Sequence, residues 1–314
     1  MHVCSFRRHQ SGMPEWRPAF LTREMSASLI SVTIVNLFVS PCAVFLNVLV
    51  IVAIKTTPQL RNKYNGLLAC LAGTDLLTAL FSLPLFVAKQ IYRLTGSLSS
   101  DYCRILYIDS IIFAPSVIAS LQHLTLLSIE RYIAIKYPYI YDEIITKPRL
   151  VGAVLTVWSF VVFPYSISSF LSNVSGFFIV FRAFTLIPSI CILVFCHITV
   201  YHEARKQMQK IKTQQHSAEA KEKFLKEQKA LKTTTIVLGA VLASSVPLTL
   251  FRTVLQSRIS SPVVPFLSFA LWNSVCNPLI YCVRSKEYRK AFKKLLRLKQ
   301  NQVQPVAAST GAHP

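Results

Sequence analysis

Seven runs of mostly apolar residues, at roughly 27–54, 65–91, 102–136, 150–170, 176–201, 231–254 and 262–283, divide this 314-residue chain into greasy stretches joined by polar connections. A helix of about 20 apolar residues crosses the ~30 Å hydrocarbon core of a bilayer, and none of these runs is long enough to cross twice. Within hydrocarbon only helices and closed barrels satisfy their own backbone groups. The pattern therefore predicts an all-α fold, a bundle of seven transmembrane helices. Composition agrees: 53% of residues are hydrophobic and only 15% charged, too apolar for a water-soluble domain of this length.

The formal net charge of +21 raises nucleic acid as a partner. The basic residues, however, stand in blocks between apolar runs and lack the interleaved aromatics of a strand-binding groove. Nucleic acid is thus excluded, and an anionic membrane leaflet is the expected partner. Lys and Arg are retained on the cytoplasmic side, and 24 of the 34 lie at the connections after spans one, three and five or in the C-terminal tail. The N-terminus is then extracellular in a multi-pass plasma-membrane protein. This orientation puts the glycosylation sequon Asn173-Val174-Ser175, between spans four and five, outside the cell. The first 24 residues lack a signal-peptide pattern, so span one is expected to act as its own insertion signal.

The expected organisation is an extracellular tail at 1–26, a seven-helix domain at 27–283, an amphipathic helix at 284–298 and a disordered tail at 299–314. The sequence EAKEKFLKEQKALK predicts that spans five and six continue as helices into the cytoplasm. In SKEYRKAFKKLLRLK, Tyr288, Phe292, Leu295 and Leu296 share one face among Lys and Arg, the pattern of a helix on a membrane surface. Six of the eight cysteines lie in apolar runs and read as inert core residues; only Cys4 and Cys103 face an oxidising space.

Function must then be sought among polar groups that are costly in lipid. Asp75, inside LACLAGTDLLTALF, is one; a carboxylate at mid-bilayer costs ~2.5–3.5 kcal/mol on insertion scales. It reads either as a polar residue satisfied by neighbouring helices or as an ion or proton site. Glu130 and Arg131 end the long third run as an adjacent acid and base. No HExxH, GxSxG or paired-Asp motif is present, and His123, the best candidate for a second catalytic group, has no metal-ligand spacing around it. No enzymatic activity is expected. A transporter would show repeated or broken helices and a polar pathway, neither of which is visible.

One motif per run now accumulates: Asn47 in FLNVLVIVAI, Asp75 in LAGTD, Arg131 in SIERY, Trp158 in TVWSF, Pro188 in IPSIC, Pro247 in SSVPL, and Asn277 to Tyr281 in NPLIY. Over residues 27–298 the chain resembles a rhodopsin-like (class A) G-protein-coupled receptor. The resemblance implies a receptor that passes an extracellular ligand signal to a heterotrimeric G protein. In it Arg131 is held at rest by Glu130 and by Glu227, 20 residues before Pro247, and is released when helix six moves outward. It also implies an allosteric sodium ion, and no other cofactor, among Asp75, Ser120, Asn273 and Asn277. Asn277, Pro278 and Tyr281 form a companion activation switch, with Pro247 the bend of helix six.

Departures from the family pattern are as informative. Ser245 and Val241 replace the usual Trp and Phe of helix six, so the aromatic toggle is absent. Cys196 stands where a Tyr is usual, with Tyr201 five residues on. These substitutions keep open a non-signalling decoy or heterodimer-partner receptor. No cysteine lies between Trp158 and Pro188 to pair with Cys103, so a Cys4–Cys103 bridge and an unbridged Cys103 both stay open. The short second outer loop is similar to that of the melanocortin, adenosine, cannabinoid and lysophospholipid group.

For the ligand, the resemblance mainly excludes. Residues 262–283 contain no Lys for a retinal Schiff base. Phe113 occupies the position, 18 residues before Arg131, where amine receptors carry Asp. Asp109, one turn above it, reads either as a contact for a cationic ligand or as a partner of Arg104 or Arg93. Lys89, Arg93, Arg104 and Arg252 at the outer ends suit an anionic, lipid or peptide ligand, or snorkel to headgroups.

Overall fold

The computed structural model describes residues 23–96, 100–170, 175–213, 239 and 263–296. All regular structure among them is helical. Span one is the helix Arg23–Thr56, and span three is Ser100–Lys136. Spans four and five are Lys147–Phe170 and Ser175–Thr213, and span seven is Val263–Arg284. Span two runs over Lys63–Thr95. Among the described residues, five helices are long and apolar enough to cross a membrane. Large apolar side chains such as Phe38, Phe163, Phe184 and Val283 stand exposed on their outer faces, which suits lipid rather than water. The first helix begins four residues before the expected 27. Span five's helix continues to Thr213, well past its apolar run, as the charge pattern predicts; apart from residue 239, the sixth run lies outside the described residues.

Span two shows how the chain settles its backbone in hydrocarbon. Its helix widens into a π turn at Thr78–Ser82, where the Leu83 amide donates to the Thr78 carbonyl. Continuing that pattern, the Ala79 carbonyl would need a donor from residue 84, which is proline and has none. Ser40 of span one supplies it, its hydroxyl donating to the Ala79 oxygen at 2.8 Å. Below the turn Leu67, Leu68 and Leu71 pack with Val50 and Ala53 of span one and Leu124 and Leu127 of span three. Spans one and seven are joined by the fully buried Asn36, which donates to Ser268 Oγ at 2.6 Å and accepts from Trp272 Nε1 at 3.0 Å. Asn36→Leu is expected to lower stability by roughly 1–2 kcal/mol, since interhelical hydrogen bonds in membranes reach about that value. The thermal unfolding midpoint of the purified protein measures it.

After span seven, Ser285 caps the helix Lys286–Leu295 by accepting from the Tyr288 amide. Its Lys and Arg residues are exposed, whereas Tyr288, Ala291 and Phe292 are buried against the adjoining ends of spans one, two and seven. Tyr288 donates to Asn65 Oδ1 of span two at 3.1 Å. Burial holds its phenol well above the ordinary range, so it remains a donor. The apolar stripe read from sequence as membrane-facing is therefore in large part a protein contact.

Candidate functional site

Three polar clusters sit at different depths. The innermost is built on the end of span three. Glu130, only 1% exposed, accepts from Arg131 Nε at 2.6 Å and from Nη2 at 2.7 Å, a bidentate pair. A third donor comes from the connection after span three, where the Tyr141 hydroxyl donates to Glu130 Oε1 at 2.5 Å. Burial first, and then the Glu130 carboxylate, push the Tyr141 phenol well up, which keeps its proton on the bridge. The planar face of Arg131 is covered too: its guanidinium carbon lies 4.0 Å from the centroid of the Tyr64 ring on span two. Lys63, beside Tyr64, pairs with Asp142 at 2.6 Å and lies 5.0 Å from the Tyr141 ring. The first turn of span two and the loop after span three thus close around one acid and base. Glu227, the second acid expected for Arg131, lies outside the described residues.

The middle cluster surrounds Asp75, which is fully buried. Ser120 Oγ of span three donates to its Oδ1 at 3.2 Å, and Asn277 Nδ2 of span seven donates to its Oδ2 at 2.8 Å. Ser274, which the sequence reading passed over, is a further hydrogen-bond partner. Asn273 stands one position earlier on the same helix, half-buried. Among the described residues, no Lys, Arg or His forms an ion pair with Asp75. A buried carboxylate with no cationic partner among the described residues, met by two hydroxyls and by an Asn277 amide that can turn its oxygen towards an ion, offers donors that would fit a hard cation. Asn277 and Pro278 are buried at this level, and Tyr281 is buried one turn further in against Tyr288, with ring centroids 6.1 Å apart. His123 is fully buried and its Nδ1 meets the Ala119 carbonyl at 2.7 Å, the geometry of a core histidine.

The outer cluster corrects one expectation. Asp109 pairs with neither Arg93 nor Arg104 but with Lys89 of span two, at 2.5 Å, and both residues are at least nine-tenths buried. The ammonium also lies 5.6 Å from the Phe86 ring and 5.9 Å from the Phe113 ring. Arg93 instead donates to Tyr102 and Gln90, and Arg104 reaches Asp101 at 3.5 Å on the exposed surface. Of the four outer cations, Lys89 is thus neutralised internally; Arg252 lies outside the described residues. Cys103 is disulfide-bonded, while the six cysteines of the apolar runs are free. Cys4, Asn173, Val241, Ser245 and Pro247 also lie outside the described residues.

A buried acid with its half-buried base near the end of span three, a buried Asp on span two and an Asn-Pro pair on span seven occupy one bundle in the order the motifs require. The profile of the seven-transmembrane receptors of the rhodopsin family matches residues 46–176 and 161–281, most of the chain. The chain belongs to the rhodopsin family of G-protein-coupled receptors. Two curated relatives are the trace amine-associated receptor 5 of Mus musculus and that of Rattus norvegicus. Each is 28% identical over 277 residues, covering 80% of this chain and 80% of its own. This receptor is accordingly a multi-pass membrane protein that signals without catalysing a reaction of its own.

Two features at the Arg131 end of the bundle were missed in the sequence. Tyr139, in the loop after span three, is 98% exposed, with Tyr137 and Ile140 also exposed beside it. The alternation of aromatics in YPYIYDE was the available signal, because Tyr141 turns inward to Glu130 while Tyr139 turns out. Tyr64 carried no such signal, since nothing in NKYNGLL distinguishes it from a core aromatic.

Proposed function

We propose that Arg131 is the group this receptor presents to a heterotrimeric G protein, and that it is released when helix six moves away from the inner end of span three. The supporting observation is the geometry at Glu130, where three donors hold one buried carboxylate and keep Arg131 folded back at the membrane edge. Glu227 is the second restraint in this reading. The N-terminus is extracellular, so the Lys89 and Asp109 end faces the ligand. The exposed Tyr139, eight residues after Arg131, offers the G protein an aromatic anchor on the cytoplasmic side without the desolvation of a charge.

The relatives are named for trace amines, which raises an amine ligand here. Phe113 supplies no charge, and Asp109 is already matched by Lys89. A second cation at that carboxylate would meet the Lys89 ammonium as well. We therefore favour a lipid or peptide ligand whose anionic group meets Arg93 and Arg104 rather than Lys89. A sodium ion at Asp75, held with Ser120, Asn273 and Asn277 and now also Ser274, completes the reading; it would neutralise the carboxylate and favour the resting bundle.

The direct test is nucleotide exchange by purified receptor in lipid nanodiscs, without ligand, on each class of Gα heterotrimer. Exchange above the receptor-free rate on at least one class is expected. Absence of exchange and of nucleotide-free complex on every class would turn the reading towards a decoy or heterodimer partner. Within the same assay Tyr139→Ala is expected to lower exchange about tenfold, a typical cost for losing an interface anchor. Its thermal midpoint should not change, because the side chain packs against nothing in the free receptor.

A further inference from the structure

The bidentate pair with Glu130 accounts for one edge of the Arg131 guanidinium and leaves its planar face to be explained. That face lies 4.0 Å from the ring centroid of Tyr64, close to the van der Waals limit and well inside the range of cation–π attraction. The contact spans two helices, since Tyr64 opens span two and Arg131 closes span three. We propose that Tyr64 is a positioning residue for Arg131, its ring face holding the guanidinium against Glu130 so that the arginine leaves the resting site only by leaving the ring as well.

Several observations fix the ring where it is. The helix of span two starts one residue earlier at Lys63, and its Asn62 cap accepts from the Asn65 amide. Asn65 is tied in turn to the Leu60 carbonyl through its Nδ2 and to Tyr288 through its Oδ1. Lys63 is clipped to Asp142. The Tyr64 ring itself packs against the core shared by spans one, two and three. Its backbone is thus anchored from both sides, and the ring is not free to follow Arg131 outward. The acid edge and the aromatic face act on different parts of one planar cation, so both can hold it at once. A further consequence separates Tyr64 from an ordinary packing residue: the contact with Arg131 uses the ring face and does not need the hydroxyl.

This inference rests on Arg131 being the group that meets the G protein, and the experiment keeps the two failures apart. Ligand-free nucleotide exchange, normalised to receptor, is measured for wild type, Tyr64→Leu, Tyr64→Phe, Tyr64→Trp and the double variant Arg131→Ala/Glu130→Gln. Tyr64→Leu is expected to raise basal exchange about threefold to tenfold, the equivalent of a partly desolvated cation–π contact. Tyr64→Phe should stay well below Tyr64→Leu, because it keeps the ring face, and Tyr64→Trp, with the stronger face, should fall below wild type. Basal exchange unchanged in Tyr64→Leu, or raised as far in Tyr64→Phe as in Tyr64→Leu, overturns the inference. If Tyr64→Leu does not fold, a rise in Tyr64→Trp overturns it equally.

Exchange that persists in the double variant would instead remove the coupling role of Arg131. The positioning claim is then decided by a readout that needs no G protein, the Nε–H resonance of Arg131 in nitrogen-15-labelled receptor, assigned by its loss in Arg131→Lys. A ring above the guanidinium shifts that proton upfield. The shift should persist in Tyr64→Phe and vanish in Tyr64→Leu, and its absence in wild type overturns the inference.

Discussion

Replacing Arg131 by Ala together with Glu130 by Gln is expected to abolish G-protein activation while leaving the receptor at the cell surface. The pairing of the two changes matters. Arg131→Ala alone leaves Glu130, 1% exposed, with only the Tyr141 hydroxyl to satisfy it. Stripping the partner from a buried charge costs about 3–5 kcal/mol, enough to lower expression and to be mistaken for loss of coupling. Gln at position 130 removes the charge and keeps an acceptor for Tyr141. The single variant Glu130→Gln has the opposite expected effect. It weakens two charge-assisted hydrogen bonds, each worth about 1.5–3 kcal/mol, and frees Arg131, so basal exchange should rise about tenfold or more. Glu227→Ala should act in the same direction and less strongly, because Glu130 and Tyr64 still hold the arginine. Coupling that survives the double change would end the proposed role of Arg131, and a silent Glu130→Gln would show that Glu130 is not the resting partner that matters.

That asymmetry between Glu130 and Glu227 could be read only in part from the sequence. Glu130 and Arg131 were legible through the SIERY motif rather than through helical geometry, since successive residues on a helix do not face one another. Asp75, Ser120 and Asn277 were legible through the family motifs, although they lie 45 and 202 positions apart. The partners that no motif carries were lost. Tyr64 meets Arg131 from another helix, and Ser274 reaches Asp75 from the turn between two asparagines that drew attention instead. Asp109 is the most instructive case. Arg104 precedes it by five residues and so lies off the stripe of positions three and four apart that face one another on a helix. Lys89 lies one helical turn deeper than Arg93 on span two, at the level of Asp109. Periodicity tells which face a residue shares, but which residue of a neighbouring helix stands at the same depth follows from how the helices cross. For the same reason the buried face of Lys286–Leu295 was legible as apolar without its occupant being identifiable, because lipid and protein select the same residues.

Sodium-dependent stability is expected to reside in one carboxylate. Asp75 is fully buried, accepts hydrogen bonds from Ser120 and Asn277, and meets no cationic side chain among the described residues. An ion bound there in the folded bundle and not in the unfolded chain stabilises the receptor by RT ln(1 + [L]/Kd), about 1.4 kcal/mol at ten times Kd. The thermal midpoint of purified receptor should therefore rise by a few degrees when N-methylglucamine chloride is replaced by sodium chloride at constant ionic strength. Asp75→Asn should erase that difference without unfolding the protein, because the amide has the same shape and Asn277 can turn its own amide to present oxygen to the new donor. Ser120→Ala and Ser274→Ala should each shrink the sodium effect, since each removes one oxygen and leaves the charge. The readout needs neither ligand nor G protein, so it separates the ion site from the coupling site at Arg131. A sodium shift that survives Asp75→Asn would place the ion elsewhere. A shift absent in wild type would leave Asp75 as a carboxylate satisfied by its three hydrogen-bonding neighbours alone, and the resting bundle would then owe its stability at this depth to the links between spans two, three and seven.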